Sequence, residues 1–460
     1  MNKPLLHQNH RRPITRRELL AQGFIAGSAT LLAPTLFGSL LSRAARAQGM
    51  TTLPFMVFDM AGGAGLPGNF LVGKTGGPED LLTSYDLLGW NPRIGNALDK
   101  SFGLPMAGGN VSRILQGITT TSSAEARAFT RMGSLLHFAQ DDTSSNQLSA
   151  VAMIARGGYK TTILSKALGQ RTNVSGGNSD IVRNGSADAA FKPLVVGKVG
   201  DVVDAVGFGQ VFSTYKPEVV KAMAQGMSDL TGEHVPEIRQ RTRGDRLAEL
   251  SQAAYEKNAT DTASGSSMDP RQQTITQQVY QINAGTQPND VRAITATIAL
   301  NAINGNAGPG VITVGGCDYH DGTQTTGDAK DLEMGQHIGR AIETAHRLKQ
   351  PFFFNLITDG GVYSRRGSRN WQGDDGTKCM SVIGMYNPAG APAMRRIQVG
   401  SYTDGQGVDR TTVIGASPAK AAYAVLANWL SAQGRLGEFE RIAPAGVFSR
   451  TELESVLIFG

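Results

Sequence analysis

Short apolar runs alternate along this chain with longer stretches in which apolar side chains recur every three or four residues. That alternation predicts an α/β fold. Residues 54–60 read Pro-Phe-Met-Val-Phe-Asp-Met, an apolar run carrying one carboxylate and closed by Ala61-Gly62-Gly63. Its length and closing glycines predict a buried strand. Residues 134–139, 310–314 and 351–358 have the same form, the last two closing on Gly315-Gly316 and Asp359-Gly360-Gly361. Between them, residues 331–349 place Ile338, Ile342, Ala345 and Leu348 on one helical face. Strand, helix and strand at this spacing predict a right-handed parallel crossover. Residues 421–430 predict a late helix, and the chain ends on the apolar Val456-Leu457-Ile458-Phe459.

The remaining segments fill in around this frame. Residues 66–125 are rich in Gly, Pro and Asn and predict an irregular insertion rather than core. Residues 216–303 predict a mostly helical segment. Within it, 235–257 is charged and amphipathic, 260–269 is a Ser/Thr/Gly loop, and 291–303 is more apolar. Asp141-Asp142-Thr143-Ser144-Ser145 offers N-cap residues to a helix running through Leu148, Val151, Met153 and Ile154. The expectation is one α/β domain over residues 48–460, built on a mainly parallel sheet flanked by helices.

The first 47 residues change how the charge is read. Arg16-Arg17-Glu18-Leu19-Leu20 precedes a Gly/Ala-rich apolar stretch from Ala21 to Leu41, then Ala45-Arg46-Ala47. A basic region, a moderately apolar region and a small-x-small site in that order predict a twin-arginine leader cleaved near Ala47/Gln48. The mature protein is then expected in the periplasm or secreted. Gly23, Gly27, Gly38 and Pro34 argue against a stable membrane span in the leader, and no transmembrane segment is expected in the mature chain. The leader holds seven of the 44 Lys and Arg and one of the 38 Asp and Glu, leaving 37 of each. A net charge of zero gives no reason to expect nucleic acid as a partner. Cys317 and Cys379 could form one disulfide or stay as packed thiols, and no Cys-x-x-Cys spacing marks a metal site.

Candidate chemistry gathers at strand ends, because open parallel sheets bind ligands beyond the carboxyl ends of their strands. Three predicted strands end in polar groups there: Asp59, the pair Asp318/His320, and Asp359. Carboxylates with one imidazole suit a divalent metal such as Zn, Mn or Fe, which could polarise an ester and generate a hydroxide. Each of these aspartates can equally cap a turn. Thr143 is the candidate nucleophile, a hydroxyl at a predicted helix start, where backbone N–H groups favour phosphate or sulfate. The same run also reads as ordinary helix caps. Glu333 and His337 lie four apart on a helix and, with His346, read as surface or packing residues. No dinucleotide-type Gly-x-Gly-x-x-Gly turn follows a strand, and no haem-attachment motif occurs, so a redox enzyme has no support.

At Gly315-Gly316-Cys317-Asp318-Tyr319-His320, with the long helix after it, the sequence resembles the bacterial domain-of-unknown-function family fifteen-oh-one, grouped with alkaline-phosphatase-like and sulfatase-like folds. Phe58-Asp59-Met60-Ala61-Gly62-Gly63 and Leu356-Ile357-Thr358-Asp359-Gly360-Gly361 match that family's other strand-end turns, so the resemblance covers roughly residues 50 to 390 in order. It implies an alkaline-phosphatase-like fold, an exporting leader and hydrolysis of a phosphate or sulfate ester at a metal site. Three departures stand out. No acid follows Gly62-Gly63, Cys317 replaces an aromatic residue, and Asp374-Asp375-Gly376 lacks the family's histidine. The alternative implied by these losses is a non-catalytic envelope or secretion-associated binding protein that retains the fold.

Overall fold

The computed structural model describes residues 52–74, 80–88, 98–108, 111–139, 149–158, 167–170, 194–205, 219, 222, 268–317, 324–365, 370–373 and 375–460. Within them lie the strands β1 (Phe55–Met60), β2 (Leu98–Asp99), β3 (Met106–Ala107), β4 (Thr130–Leu136), β5 (Leu168–Gly169) and β6 (Leu194–Val195). They are followed by β7 (Gly310–Val314), β8 (Phe352–Thr358), β9 (Tyr363–Ser364), β10 (Trp371–Gln372), β11 (Met380–Tyr386) and β12 (Gln398–Val399). Among the described residues, eight strands form one sheet in the order β12-β4-β11-β8-β1-β7-β5-β6. The pairs β12/β4, β8/β1, β1/β7, β7/β5 and β5/β6 are parallel; β11 alone is antiparallel to its neighbours β4 and β8. The chain therefore has the expected α/β architecture, with a mainly parallel mixed sheet and helices on its faces.

The strand centres repay their composition. Every residue of β1, β8 and β11 is buried, so continuous Val, Ile, Phe and Met runs suit a layer covered on both sides. One face carries Met56, Phe58, Ile312, Val314, Phe354 and Leu356, packed under the helices Arg113–Thr121, Val291–Ile303 and Gln324–Leu348. The other carries Phe55, Val57, Val311, Phe353 and Ile357, packed under Val151–Gly158 and Pro418–Ser431. β7, the long helix Gln324–Leu348 and β8 are consecutive, and both strands run parallel to β1. β1 lies between them rather than beside them.

One segment departs from expectation. Residues 66–125 are irregular in backbone yet supply core: Leu66, Phe70, Leu71, Val72, Phe102, Met106, Ile114 and Ile118 are all buried in the first face's cluster. Their glycines and prolines break the chain into short pieces too brief to show a period. The helix Arg113–Thr121 within this region crosses the long helix through glycines. A Cβ on Gly335 would sit 2.9 Å from the Ile114 Cα, on Gly339 2.8 Å from the Ile118 carbonyl oxygen, and on Gly117 2.6 Å from the Gln336 nitrogen. The two backbones are therefore in direct contact.

The apolar end at residues 456–459 is not a strand of the sheet. The Asn428 carboxamide oxygen accepts from Ile458 N at 2.6 Å and Phe459 N at 3.0 Å, and its nitrogen donates to Val456 O at 2.8 Å. One residue on, the Trp429 indole donates to Leu53 O at 2.9 Å. One helix thus holds both the end of the chain and the entry to β1. The described part of 216–303 is helical, as Thr274–Tyr280 and Val291–Ile303. The helix expected at 235–257 lies outside the described residues.

Candidate active site at the carboxyl edge of the sheet

β7, β1 and β8 are parallel neighbours, so their carboxyl ends meet at one edge. Asp59, the fifth residue of β1, is wholly buried and accepts a hydrogen bond from the Thr313 hydroxyl at 3.2 Å. Asp359 is wholly buried one residue beyond β8. In register, Asp59 lies opposite Ile357, two residues before Asp359. The alternation of the pleat therefore turns both carboxylates toward the same face. That face is the one covered by the helix Pro418–Ser431. Thr358 points the opposite way and staples the turn after β1: its hydroxyl accepts from Ala64 N at 2.9 Å and donates to Gly62 O. The Gly-Gly turn is thus fixed to the neighbouring strand end. Ala61 N donates to Val314 O and Cys317 N donates to Ala61 O, both at 3.0 Å. Gly316, at φ +75°, makes the bend that brings the chain back to Ala61. β7 is in this way led alongside β1 up to the residue before Asp318.

On the same face, across β11 from β8, stands a group that the sequence did not single out. His137 follows β4, and its Nδ1 lies 3.1 Å from Phe138 O and its Nε2 3.1 Å from the Ser381 hydroxyl. The carbonyl can only accept, so Nδ1 carries the proton and Nε2 accepts from Ser381. Burial pulls the His137 pKa down to about 4, and the imidazole is neutral at pH 7. Cys379 lies on this face too; burial and the nearby Asp359 charge push its thiol up. His137 sits at the end of a run recognised as a strand. Ser381 lies in β11, whose Gly384 splits the apolar run and hid the strand.

His137 and the similarly buried His337, also held at about 4, make stability pH-dependent. Each folded pKa is depressed below the unfolded value near 6.5, so the unfolded chain binds the extra proton first. Their contribution is complete above that value and is lost as pH falls toward about 4. Stability measured by urea denaturation is expected to drop by about 2 kcal/mol per histidine between pH 7.5 and 5. The slope is expected to halve in His337→Leu; a flat profile over this window would contradict it.

The other sequence candidates sort as follows. Asp318, His320 and Thr143 lie outside the described residues. The helix that was to begin near Thr143 starts at Val151, and the hydroxyl at its entrance is that of Ser149, which accepts from Val151 N at 3.3 Å. Asp375 caps a short turn: its Oδ1 accepts from Thr377 N at 2.8 Å and from the Thr377 hydroxyl at 2.6 Å. Cys317 and Cys379 are buried free thiols on opposite faces of the sheet, which rules out a disulfide between them. Glu333 pairs with Lys330 at 3.1 Å, and His346 Nδ1 meets the Tyr386 hydroxyl at 3.0 Å; these are surface and packing roles, as expected.

Buried carboxylate oxygens on neighbouring strand ends are donors suited to a divalent cation, and Asp59 and Asp359 fit such an ion as two of its ligands. Among the described residues, no group of three or more His, Cys, Asp or Glu is placed to hold a metal. Nor, among the described residues, is any helix long and apolar enough to cross a membrane. No family model matches the chain, and no curated protein or solved structure matches it.

Proposed function

We propose that the protein is an exported, metal-dependent hydrolase of phosphate or sulfate esters with an alkaline-phosphatase-like fold, working at the carboxyl edge of the sheet. The observation that carries this reading is the pair Asp59 and Asp359, wholly buried at adjacent strand ends. Carboxylate oxygens at neighbouring strand ends are donors of the kind a divalent cation takes. Asp318 and His320 follow β7 in the sequence, and with Asp59 and Asp359 they are the four proposed ligands of the ion. A bound divalent cation supplies Lewis-acid polarisation of the ester and an acidified water. Thr313 orients Asp59 through its hydroxyl, and Thr358 fixes the Gly62–Ala64 turn beside it. Thr143, on the connection between β4 and the helix Val151–Gly158, is the proposed nucleophile toward the ester. His137, neutral and fixed by Phe138 and Ser381, is a rigid wall of the site rather than a titrating group at pH 7.

The test is the metal content of the mature protein, isolated after export by its own leader, beside Asp318→Ala/His320→Ala. About one tightly held metal in the parent and none in the variant is expected. Absence of metal from both would remove the hydrolase.

One observation favours the second reading, a non-catalytic envelope or secretion-associated binding protein. Asp375, at the position where the resembled family carries an Asp-His pair, spends its carboxylate on capping Thr377. That reading expects a protein or polymer partner and silence across an ester panel.

A further inference from the structure

Away from the strand ends, the long helix Gln324–Leu348 turns a different polar face toward the helix Thr274–Tyr280. His337, Arg340 and Thr344 fall on that face at i, i+3 and i+7. Three features of this patch are unusual together. The His337 ring is more than nine-tenths buried, and its Nδ1 has no hydrogen-bond partner. The Tyr280 hydroxyl is wholly buried. It faces the Thr344 hydroxyl, whose own proton goes to Arg340 O at 2.7 Å and whose oxygen remains an acceptor. The Arg340 guanidinium, half-buried, lies close enough to both groups to influence their ionisation, and among the described residues its other charged neighbour is Arg292. Burial and Arg292 both work against its charge, and no carboxylate among the described residues offsets them. The acids nearby are committed elsewhere. Glu343 takes Arg347 Nε at 2.7 Å and Ser123 N at 2.8 Å, Asp290 takes Arg292, and Glu333 takes Lys330.

A half-buried cation with no counter-ion among the described residues, beside a buried imidazole nitrogen without a hydrogen-bond partner and a buried phenol, lacks one thing: an acceptor with negative charge. We infer that Tyr280, His337 and Arg340 form a binding site for a small oxyanion of the phosphate or sulfate class, between the 274–280 helix and the long helix. Arg340 presents its planar fork to two anion oxygens, the Tyr280 hydroxyl donates to a third, and the neutral His337 donates from Nδ1. Arg292, exposed at the rim and paired with Asp290, adds attraction at the entrance. The inference is independent of any chemistry at Asp59 and Asp359, which lie on the opposite face of the sheet from these helices.

The full mature chain is titrated with inorganic phosphate, and separately with sulfate, by calorimetry and thermal melting in an anion-poor buffer. Saturable one-to-one binding is expected at a Kd of about 1 mM or tighter, with a rise in Tm. Preference for one anion over the other identifies the physiological source. Tyr280→Phe is expected to weaken binding about five-fold, the worth of one hydrogen bond, and Arg340→Met to abolish it. Arg340→Met also has a readout without ligand. Removing an uncompensated charge is expected to leave the anion-free protein at least as stable as the parent, which shows that the variant folds. Binding that survives in Arg340→Met but is lost in Asp59→Asn would place the anion at the strand ends and overturn the inference. So would absence of saturation in the parent chain.

Discussion

Gly335→Ala is expected to destabilise the protein by about 3 kcal/mol, although the same change in an exposed helix stabilises by about 1 kcal/mol. The two effects have opposite signs, and the helix crossing decides between them. An added methyl at 335 meets the Ile114 carbonyl oxygen and carbon and lies 2.9 Å from the Ile114 Cα. Those atoms are backbone, held by the helix Arg113–Thr121, and cannot turn aside as a side chain would. The helices must separate, and separation opens the packing of Ile114, Ile118, Met334 and Ile338, all buried in the same cluster. Urea denaturation checks this through a lower midpoint at unchanged slope. Gly437→Ala is the control: nothing lies within 4 Å of its added Cβ, and it is expected to be neutral or slightly stabilising. A stabilised Gly335→Ala would mean that the two backbones do not touch. Gly335→Leu carries the same conflict further and is expected not to fold.

Asp359→Asn is expected to remove the bound metal and to lower ester hydrolysis by about a thousandfold. A cation at a reacting centre contributes several kcal/mol of charge stabilisation, and each 1.4 kcal/mol is a decade in rate. The substitution keeps shape and removes charge, which suits a residue buried this deeply. Melting separates this outcome from simple unfolding, since the variant is expected to retain a cooperative transition. His137→Gln supplies the contrast. It stands on the same face and loses the Ser381 contact, yet holds no metal in the proposed arrangement, so its metal content is expected to stay unchanged. Equal metal loss in both variants would move His137 into the ligand set. Full activity in Asp359→Asn would sink the assignment.

What could be read in the sequence followed period and length. β1, β7 and β8 were legible because each is a dense apolar run closed by glycine, and the long helix because Ile338, Ile342, Ala345 and Leu348 recur on one face. That helix starts at Gln324, well before the expected Asp331, because its first turns are polar and show no stripe. β11 escaped notice because Gly384 interrupts it. In the sheet that glycine lies against the Phe354 ring, which occupies the place of a side chain. β4 runs over Thr130–Leu136, earlier than expected, since its first residues Thr130 and Arg131 look like turn. At the site, Asp59 and Asp359 stood out as carboxylates ending apolar runs. His137 and Ser381 did not, because their pairing spans 244 residues and nothing local in either segment announces the other. The same holds for Tyr280 and Arg340, which only the packing of two helices brings together.

The sheet order also sets a timetable. β1, the first of the described strands to be synthesised, takes its two neighbours from β7 and β8, and the Thr313 that bonds Asp59 is 254 residues further on. Until the ribosome has passed that point, an apolar strand with both edges unpaired must wait in solution, open to pairing with other chains. Contacts this distant in sequence form slowly, which leaves residues 55–60 of a nascent chain exposed to aggregation. The proposed twin-arginine leader matches that schedule, since such a leader commits cargo to complete folding before translocation. Swapping it for a leader that threads unfolded chains would move the long search into a compartment without ATP-driven chaperones, and aggregation rather than lost activity would be the first symptom.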